Sequence, residues 1–219
     1  MKQTSTVLKR SFVLHFIAEA FQFPDEAWEK RFPSLASDAL KEGIQLPSFD
    51  IHELREDHFR LFGSAPACPQ ELTLHLAENP FEQARMMAHM AGFYRAFGLE
   101  HVEGERADNL SVALSFLSFL FLKEQNAEDK KMNEEREVTA KAIEDFAREF
   151  ISPGVAAFSE KLVKLTGNPL YLALAESLRR EIFDIHKPEA PVESRREPRT
   201  NDMEEGEFTC GILKQPLQS

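Results

Sequence analysis

A strongly apolar segment in the middle of the chain constrains the fold more than any other feature. The thirteen residues from Leu110 to Leu122 are all apolar except for three serines. This run is too short to cross a hydrocarbon core, which needs about 20 residues in a helix. A helix without a polar face is buried on nearly all sides. The segment therefore predicts an all-α protein: a single globular multi-helix domain around a buried central hydrophobic helix.

Composition narrows the class of protein further. The net charge of -11 argues against nucleic-acid binding, which usually requires a basic surface. The 19 phenylalanines, against two tyrosines and one tryptophan, indicate aromatic packing in the interior. With two cysteines the chain has no disulfide framework, which fits a reducing compartment. These properties predict a cytoplasmic protein, or one whose partner is positively charged.

The N-terminal segment has some features of an export signal, with Lys9 and Arg10 preceding apolar residues. However, His15 and Glu19 interrupt the apolar stretch, and no small-residue cleavage site follows. Apolar residues instead recur near helical spacing, at Leu8, Phe12, Phe16, Ala20 and Phe23. We therefore expect a first core helix, no stable membrane insertion and a chain that stays in the cytoplasm.

Prolines and glycines predict where the other helices begin and end. The expected helices are Glu26–Phe32, Pro33 to about Glu42, Asp50–Phe62, Pro80–Phe97, Glu134–Ile151, Val155–Leu165 and Pro169–Ile185. The segment from Asn126 to Met132 is predicted to be a charged surface connection. The helix Glu134–Ile151 is predicted to be amphipathic, with Val138, Ala142, Phe146 and Phe150 on one apolar stripe, and Ser152-Pro153-Gly154 is predicted to end it.

The C-terminal residues differ in character from the rest. Residues 1–187 are expected to form the helical domain, and residues 188–219 a flexible tail without apolar periodicity. A small apolar island, residues 208–213, lies within this tail. Two interpretations are open: a solvated end, or a short segment that folds back onto the body or docks on a partner.

Catalytic signatures are missing from the sequence. None of the seven histidines has a glutamate three residues before it, as a carboxylate-bridged di-iron bundle would need. The zinc, phosphate-loop and serine-hydrolase motifs are also missing. We therefore predict no catalytic residues, no metal site and no cofactor.

Three short stretches together resemble a known family. They are Leu54-Arg-Glu-Asp-His-Phe-Arg-Leu-Phe-Gly63, Cys68-Pro-Gln-Glu71 and Glu105-Arg-Ala-Asp-Asn-Leu110. In order and spacing they are similar to stretches of the redox-enzyme maturation chaperones of the TorD/DmsD/NarJ type. The resemblance covers roughly residues 12–183. Asn109 departs from it, because the family usually has a histidine there, and the loop after Cys68 lacks the usual tyrosine and serine.

The resemblance implies a cytoplasmic chaperone without catalytic turnover. Such proteins bind the precursor of a molybdenum-dependent reductase or dehydrogenase catalytic subunit, through its twin-arginine leader or its apo form. They hold it while its cofactor is inserted, before export. A leader with two arginines and an apolar run requires carboxylates beside an apolar groove. The residues expected to bind the client are Phe59, Arg60, Phe62, Pro69, Glu71, Glu105, Asp108 and Asn109.

Individual roles follow from side-chain chemistry. We expect Glu71, Glu105 and Asp108 to supply negative charge, and Phe59 and Phe62 to shape the apolar wall. Asp108 has a second possible role, because together with the next residue it could cap the central helix.

Two alternatives to the chaperone remain open at the level of sequence. One is a helical scaffold or regulatory protein that binds another protein or a small apolar ligand. The other is a helical enzyme whose site has no sequence motif. The identity of the client is also open, as is the choice between monomer and dimer.

Overall fold

The structure, a computed structural model, describes residues 6–100 and 105–188. Its α-helices are α1 Thr6–Ala20, α2 Glu26–Lys41, α3 Ile51–Phe62, α4 Thr73–Leu76, α5 Pro80–Ala96, α6 Leu110–Asp129, α7 Asn133–Phe146, α8 Ser152–Leu165 and α9 Pro169–Ile185. Within the described ranges these helices share one hydrophobic core, which confirms the all-α, single-domain prediction. None of the described helices is long and apolar enough to cross a membrane.

The apolar helix α6 lies at the centre of the fold, packed between α1 and α7. Two buried hydroxyls join α6 to α1: Ser11 Oγ donates to the Ser118 carbonyl at 2.9 Å, and Ser118 Oγ donates to the Ser11 carbonyl at 2.8 Å. In the first turn of α6, Ser111 Oγ donates to the Ala18 carbonyl at 2.9 Å. These contacts make the two helices antiparallel. They also fix which face of α6 is left uncovered.

That uncovered face is a difference from the prediction. The sequence predicts burial on nearly all sides, but one stripe of α6 is half-buried or exposed. Its members are Ser111, Val112, Ser115, Phe119 and Leu122. Their spacing of three to four residues places them on one side of the helix. The central helix therefore has an open, mostly apolar face.

The expected break at Pro33 is wrong. A single helix, α2, runs through this proline. A proline inside a helix costs about 3 kcal/mol because it removes a hydrogen bond and clashes with the preceding turn. Aromatic packing of α2 offsets that cost: the rings of Trp28 and Phe32 stack with centroids 4.0 Å apart, and both are buried. The helix ends before Gly43, whose φ of 89° suits glycine.

The expected break at Ser152-Pro153-Gly154 is also wrong. A π turn, Ala147–Ile151, connects α7 directly to α8. In a π turn each N–H bonds to the carbonyl five residues before it, instead of four, as the Ser152 N–H does with the Ala147 carbonyl. This change in hydrogen-bonding pattern accommodates Pro153, which has no N–H to donate. Val138 does not lie on the buried stripe, since its side chain is 64% exposed. The buried α7 residues are Thr139, Ile143 and Phe146.

The connection after α6 is shorter than expected. Helix α6 continues through Asn126 to Asp129, so only residues 130–132 connect it to α7. Lys131 adopts a positive φ of 57° and reverses the chain there. The predicted C-terminal tail, apart from its first residue, lies outside the described residues, and so does its apolar island.

Candidate functional site

Two loops meet at the start of α6 and form the framework of the site. The backbone N–H of Leu72 donates to the Asp108 carbonyl at 2.8 Å, and the N–H of Leu110 donates to the Gln70 carbonyl at 2.9 Å. These bonds flank an antiparallel bridge between Glu71 and Asn109. The second and third stretches of the resemblance are therefore joined in space, although 35 residues separate Thr73 from Asp108 in the sequence.

Asp108 is fully buried behind this bridge. Its carboxylate accepts two hydrogen bonds of 2.9 Å from the Arg106 guanidinium and another from the Thr73 hydroxyl. The hydrogen bonds that Arg106 donates to Asp108 raise the pKa of Arg106, and the nearby Glu71 carboxylate adds to the effect. Since the Arg106 side chain is 41% exposed, the ion pair extends from the core to the surface. The Thr73 hydrogen bond to the same carboxylate, together with the backbone bonds, holds the two loops in register.

The helix cap belongs to the next residue. Asn109 precedes α6 in an extended conformation, and its side-chain oxygen accepts from the Ser111 N–H at 2.9 Å. This satisfies one of the free N–H groups at the start of the helix. Capping and ion pairing are therefore divided between two adjacent residues, and the Asp108 carboxylate has no capping contact.

A groove of about 680 Å³ lies along the open face of α6. The ends of α1, α3 and α5 contribute its other walls, together with the two loops. The residues that line it are Phe21, Gln22, Phe23, His58, Gln70, Tyr94, Leu99, Glu100, Glu105, Asn109, Ser111, Val112, Ser115, Phe116 and Phe119. This volume lies in the usual range of ligand pockets.

The groove combines apolar walls with negative charge. Phenylalanine, leucine and valine side chains form most of its apolar surface, and Glu100 and Glu105 are the carboxylates that line it. None of the described residues lining it is a lysine or arginine. A cation does lie near one end: the Lys123 ammonium is 5.5 Å from the centre of the Phe119 ring. The groove is thus suited to a ligand that is apolar along its length and cationic toward Glu105.

The floor of the groove is held by hydrogen bonds to one carbonyl. The Phe21 carbonyl accepts from Gln70 Nε2 at 2.8 Å and lies 3.2 Å from His58 Nε2. The His58 ring also meets the Phe23 ring edge-on, with centroids 5.3 Å apart. Burial lowers the pKa of His58, opposed by its hydrogen bond to Phe21. The neutral imidazole is therefore the favoured form.

The structure brings three of the residues predicted from sequence to the groove or its edge. Glu105 and Asn109 line it, and Glu71 is paired with Asn109 through the bridge between the loops. Asp108 lies directly behind them, but none of its surface is exposed.

The other four predicted residues do not line the groove. Phe59 is 66% exposed elsewhere on α3. Arg60 donates to the Leu165 carbonyl and to Asp57, so it fastens α3 to α8. Phe62 packs into the core against several aromatic rings, including those of Phe21, Phe158 and Tyr171. Pro69 presents its carbonyl to His75 Nε2 at 2.8 Å.

Most of the groove wall was not predicted from the sequence. Phe23 was predicted only as an apolar position of the first helix, and neither Phe21 nor His58 was among the predicted site residues. One signal was available: two of the three serines in the central segment, Ser111 and Ser115, are one turn apart and mark the open face. A serine repeat in an otherwise apolar helix is the pattern that an uncovered face would leave.

The fold and the groove define a class: an all-helical binding protein with a carboxylate-edged apolar groove. The sequence model of the family described as nitrate reductase delta subunit matches residues 24–160. The chain belongs to this family, whose members are redox-enzyme maturation chaperones and not catalysts. The match confirms the resemblance to TorD/DmsD/NarJ-type proteins.

Comparison with solved structures supports the fold. A protein from Archaeoglobus fulgidus, assigned in its crystal structure to redox enzyme maturation, superposes with a TM-score of 0.56. The identity is 21%, and the match covers 82% of this chain and 95% of that one. At this identity the likeness concerns the fold alone. A search of curated proteins gives no match.

Proposed function

We propose that this protein is a cytoplasmic chaperone that binds the precursor of a molybdenum-dependent oxidoreductase. In this proposal the groove along α6 receives the twin-arginine leader of the catalytic subunit, and the complex persists while the cofactor is inserted, before export. The observation that carries the proposal is the composition of the groove: apolar walls, two carboxylates and, among the described residues that line it, no cation. A leader with two arginines and an apolar run is complementary to such a surface.

The two ends of the groove suggest an orientation for the bound leader. Asn109 and Phe119 are ten residues apart on or beside α6, which corresponds to about 15 Å along a helix. Glu105 lies near the Asn109 end, whereas Lys123 lies beside Phe119. The arginines of the leader would therefore lie toward Glu105, and its apolar residues would follow the helix. An extended peptide needs about five residues to cover this length.

The ion pair behind the groove has a supporting role in this proposal. Arg106 is the cation nearest to the acidic end in sequence, and a free guanidinium there would repel the arginines of the leader. Because the Asp108 carboxylate accepts hydrogen bonds from both Nε and Nη2 of that guanidinium, its charge is largely compensated. Glu105 then remains available for the ligand, with Glu71 contributing at longer range.

Peptide binding tests the location of the site. A fluorescent leader peptide with two arginines and an apolar run is titrated into the full-length protein, and its anisotropy gives Kd. Val112→Lys places a positive charge on the groove wall close to the Asn109 end, where it would repel the leader arginines and add a charge to an apolar surface, so we expect binding to weaken at least tenfold, or by more than about 1.4 kcal/mol. Val138→Lys is the matched control, because this valine is 64% exposed and lies outside the groove. Equal affinities for both variants would exclude the groove as the site.

A second experiment tests the charges. Glu105→Gln keeps the shape of the side chain but removes its charge. We expect a loss of about two- to fivefold, because an exposed carboxylate–guanidinium pair contributes about 0.2–1 kcal/mol. Replacing the leader arginines by alanine should remove this sensitivity to Glu105. If Glu105→Gln weakens the arginine-free peptide equally, then Glu105 does not contact the arginines.

Co-purification tests the biological client. The tagged full-length protein is isolated from cells that express the reductase, and bound proteins are identified by mass spectrometry. An unprocessed molybdenum-dependent catalytic subunit is expected, and Val112→Lys should remove it from the complex. Recovery of a protein without a leader, or of a small apolar ligand, would favour a scaffold or ligand-binding function instead.

A further inference from the structure

Two parts of the C-terminal sequence carry the chemistry that the groove is suited to bind, within a segment, residues 195–213, that holds three arginines and five acidic residues. Arg195, Arg196 and Arg199 form a basic cluster in the sequence. The apolar island, Phe208-Thr-Cys-Gly-Ile-Leu213, follows within fourteen residues of Arg199. A cationic segment followed by an apolar one is also the general pattern of a twin-arginine leader.

We propose that residues 195–213 occupy the groove along α6 when no client is bound, and that a client leader displaces them. This inference rests on the proposed function, since it treats the tail as an internal competitor for the leader site. The arginine cluster would lie toward Glu105 and Glu100, and the island against the apolar face of α6. The tail thus acts as a regulated cover for the apolar surface of the groove.

The position of the last helix allows the tail to reach the groove. Arg10 and Glu181 form an ion pair at 2.8 Å, which places the end of α9 beside the first half of α1. The contact between Ser11 and Ser118 places the Phe119 end of the groove at the same level of α1. From Pro188 to the island the chain has about 20 residues, which can span about 60 Å when extended. The groove itself is about 15 Å long by the helix rise, so the length of the tail is sufficient.

Attachment to the same chain makes even a weak contact effective. Attachment through a segment of about 20 residues gives a local concentration on the order of 1 mM. If the free tail bound with a Kd of about 0.1 mM, the tethered tail would cover the groove about 90% of the time and weaken leader binding about tenfold.

The acidic residues between the arginines and the island explain why a leader could win the competition. Asp202, Glu204, Glu205 and Glu207 lie in that interval and would face a groove that is itself negative. A leader without this acidic interval avoids the repulsion. The tail is therefore a weaker ligand than the client, which is the property that a displaceable cover requires.

Cys210, inside the island, provides a direct reporter. The chain has two cysteines, and the other, Cys68, is fully buried. Burial raises the pKa of the Cys68 thiol to about 12, so it stays protonated and unreactive at pH 8. Labelling of the native full-length protein with a disulfide reagent at pH 8 therefore measures Cys210. We expect its rate to be about tenfold slower than in a synthetic peptide of residues 189–219.

Variants of the groove and of the tail test where Cys210 is protected. Val112→Lys should raise the labelling rate of Cys210 toward that of the free peptide, whereas Val138→Lys should leave it slow. The double variant Arg195→Ala/Arg196→Ala should also raise it, and should bind the leader peptide about tenfold more tightly than the natural chain. Labelling of the natural chain at the rate of the free peptide would overturn the inference. Protection that persists in Val112→Lys would overturn it too, because the tail would then be bound elsewhere.

The same experiment separates this inference from the function on which it rests. If the leader fails to bind the Arg195→Ala/Arg196→Ala variant, in which competition is relieved, then the proposed function fails. If the leader binds the natural chain and the variant equally and Cys210 is unprotected in both, the tail inference alone fails.

Discussion

The burial of Asp108 leads to a quantitative prediction about stability. In Asp108→Ala, Arg106 loses two charge-assisted hydrogen bonds, and the fully buried Thr73 hydroxyl loses its acceptor. Because the Arg106 side chain is 41% exposed, water can solvate its guanidinium in the variant. The free energy lost with its hydrogen bonds is therefore near the low end of the range for hydrogen bonds between charged groups, about 1.5 kcal/mol. The orphaned hydroxyl costs a further 1–3 kcal/mol or so. We therefore expect the free energy of unfolding to fall by about 3 kcal/mol.

The neighbouring cap provides the comparison. Asn109→Ala removes a helix cap, for which about 1 kcal/mol is typical. Urea unfolding followed by circular dichroism at 222 nm measures both losses in the full-length protein. Thr73→Val adds a further test: combined with Asp108→Ala it should cost less than the sum of the single changes, because no hydroxyl is then left unpaired.

Two outcomes would refute this account. If Asp108→Ala costs 1 kcal/mol or less, about the value of a helix cap, then the ion pair with Arg106 and the bond from Thr73 do not hold the loops together. If the Asp108 and Thr73 changes are additive, the hydroxyl does not depend on the carboxylate.

Two further predictions concern helix packing and pH. Gly92→Ala should raise the free energy of unfolding by about 0.5–1 kcal/mol, since a Cβ there meets nothing within 4 Å and alanine favours helix. Gly154→Ala should give no such gain, because its Cβ would lie 3.1 Å from the Leu72 side chain; equal shifts in thermal unfolding would contradict this. Burial lowers the pKa of His58 in the folded protein. As pH falls below about 6.5, this histidine therefore binds a proton in the unfolded chain before it does so in the folded one, which favours unfolding. The natural protein should therefore lose stability between pH 7.5 and 5.5 relative to His58→Gln, and parallel stability curves would show that His58 does not titrate differently on folding.

Several helices could be predicted from local signals alone. Helix α9 has the predicted bounds, Pro169–Ile185, and α5 differs from its prediction by one residue at its C-terminal end. Both begin at a proline preceded by an asparagine cap. Gly98, with a φ of 74°, follows the C-terminal end of α5. Caps and stops of this kind act over a few neighbouring residues, so the sequence is sufficient to predict them.

Helix continuity at the two internal prolines depended on distant contacts. Whether a helix tolerates Pro33 is decided by aromatic packing that includes Phe49, on the far side of the next loop. Pro153 is accommodated by a π turn within a segment whose Phe150 and Ile151 are buried in the core. Local propensity alone favours a break at both positions, and the energy of tertiary packing exceeds that preference.

For the site, the sequence alone determined that a buried apolar helix exists and that acidic residues precede it. Glu71, Glu105 and Asn109 were recognisable because they lie in short motifs near the start of that helix. Only the tertiary structure decided which face of α6 stays open, because serines occur on both sides of this helix: Ser111 and Ser115 lie on the open face, whereas Ser118 is buried against α1. The groove exists where α1, α3 and α5 end beside that face, and such an arrangement depends on contacts between residues far apart in the chain.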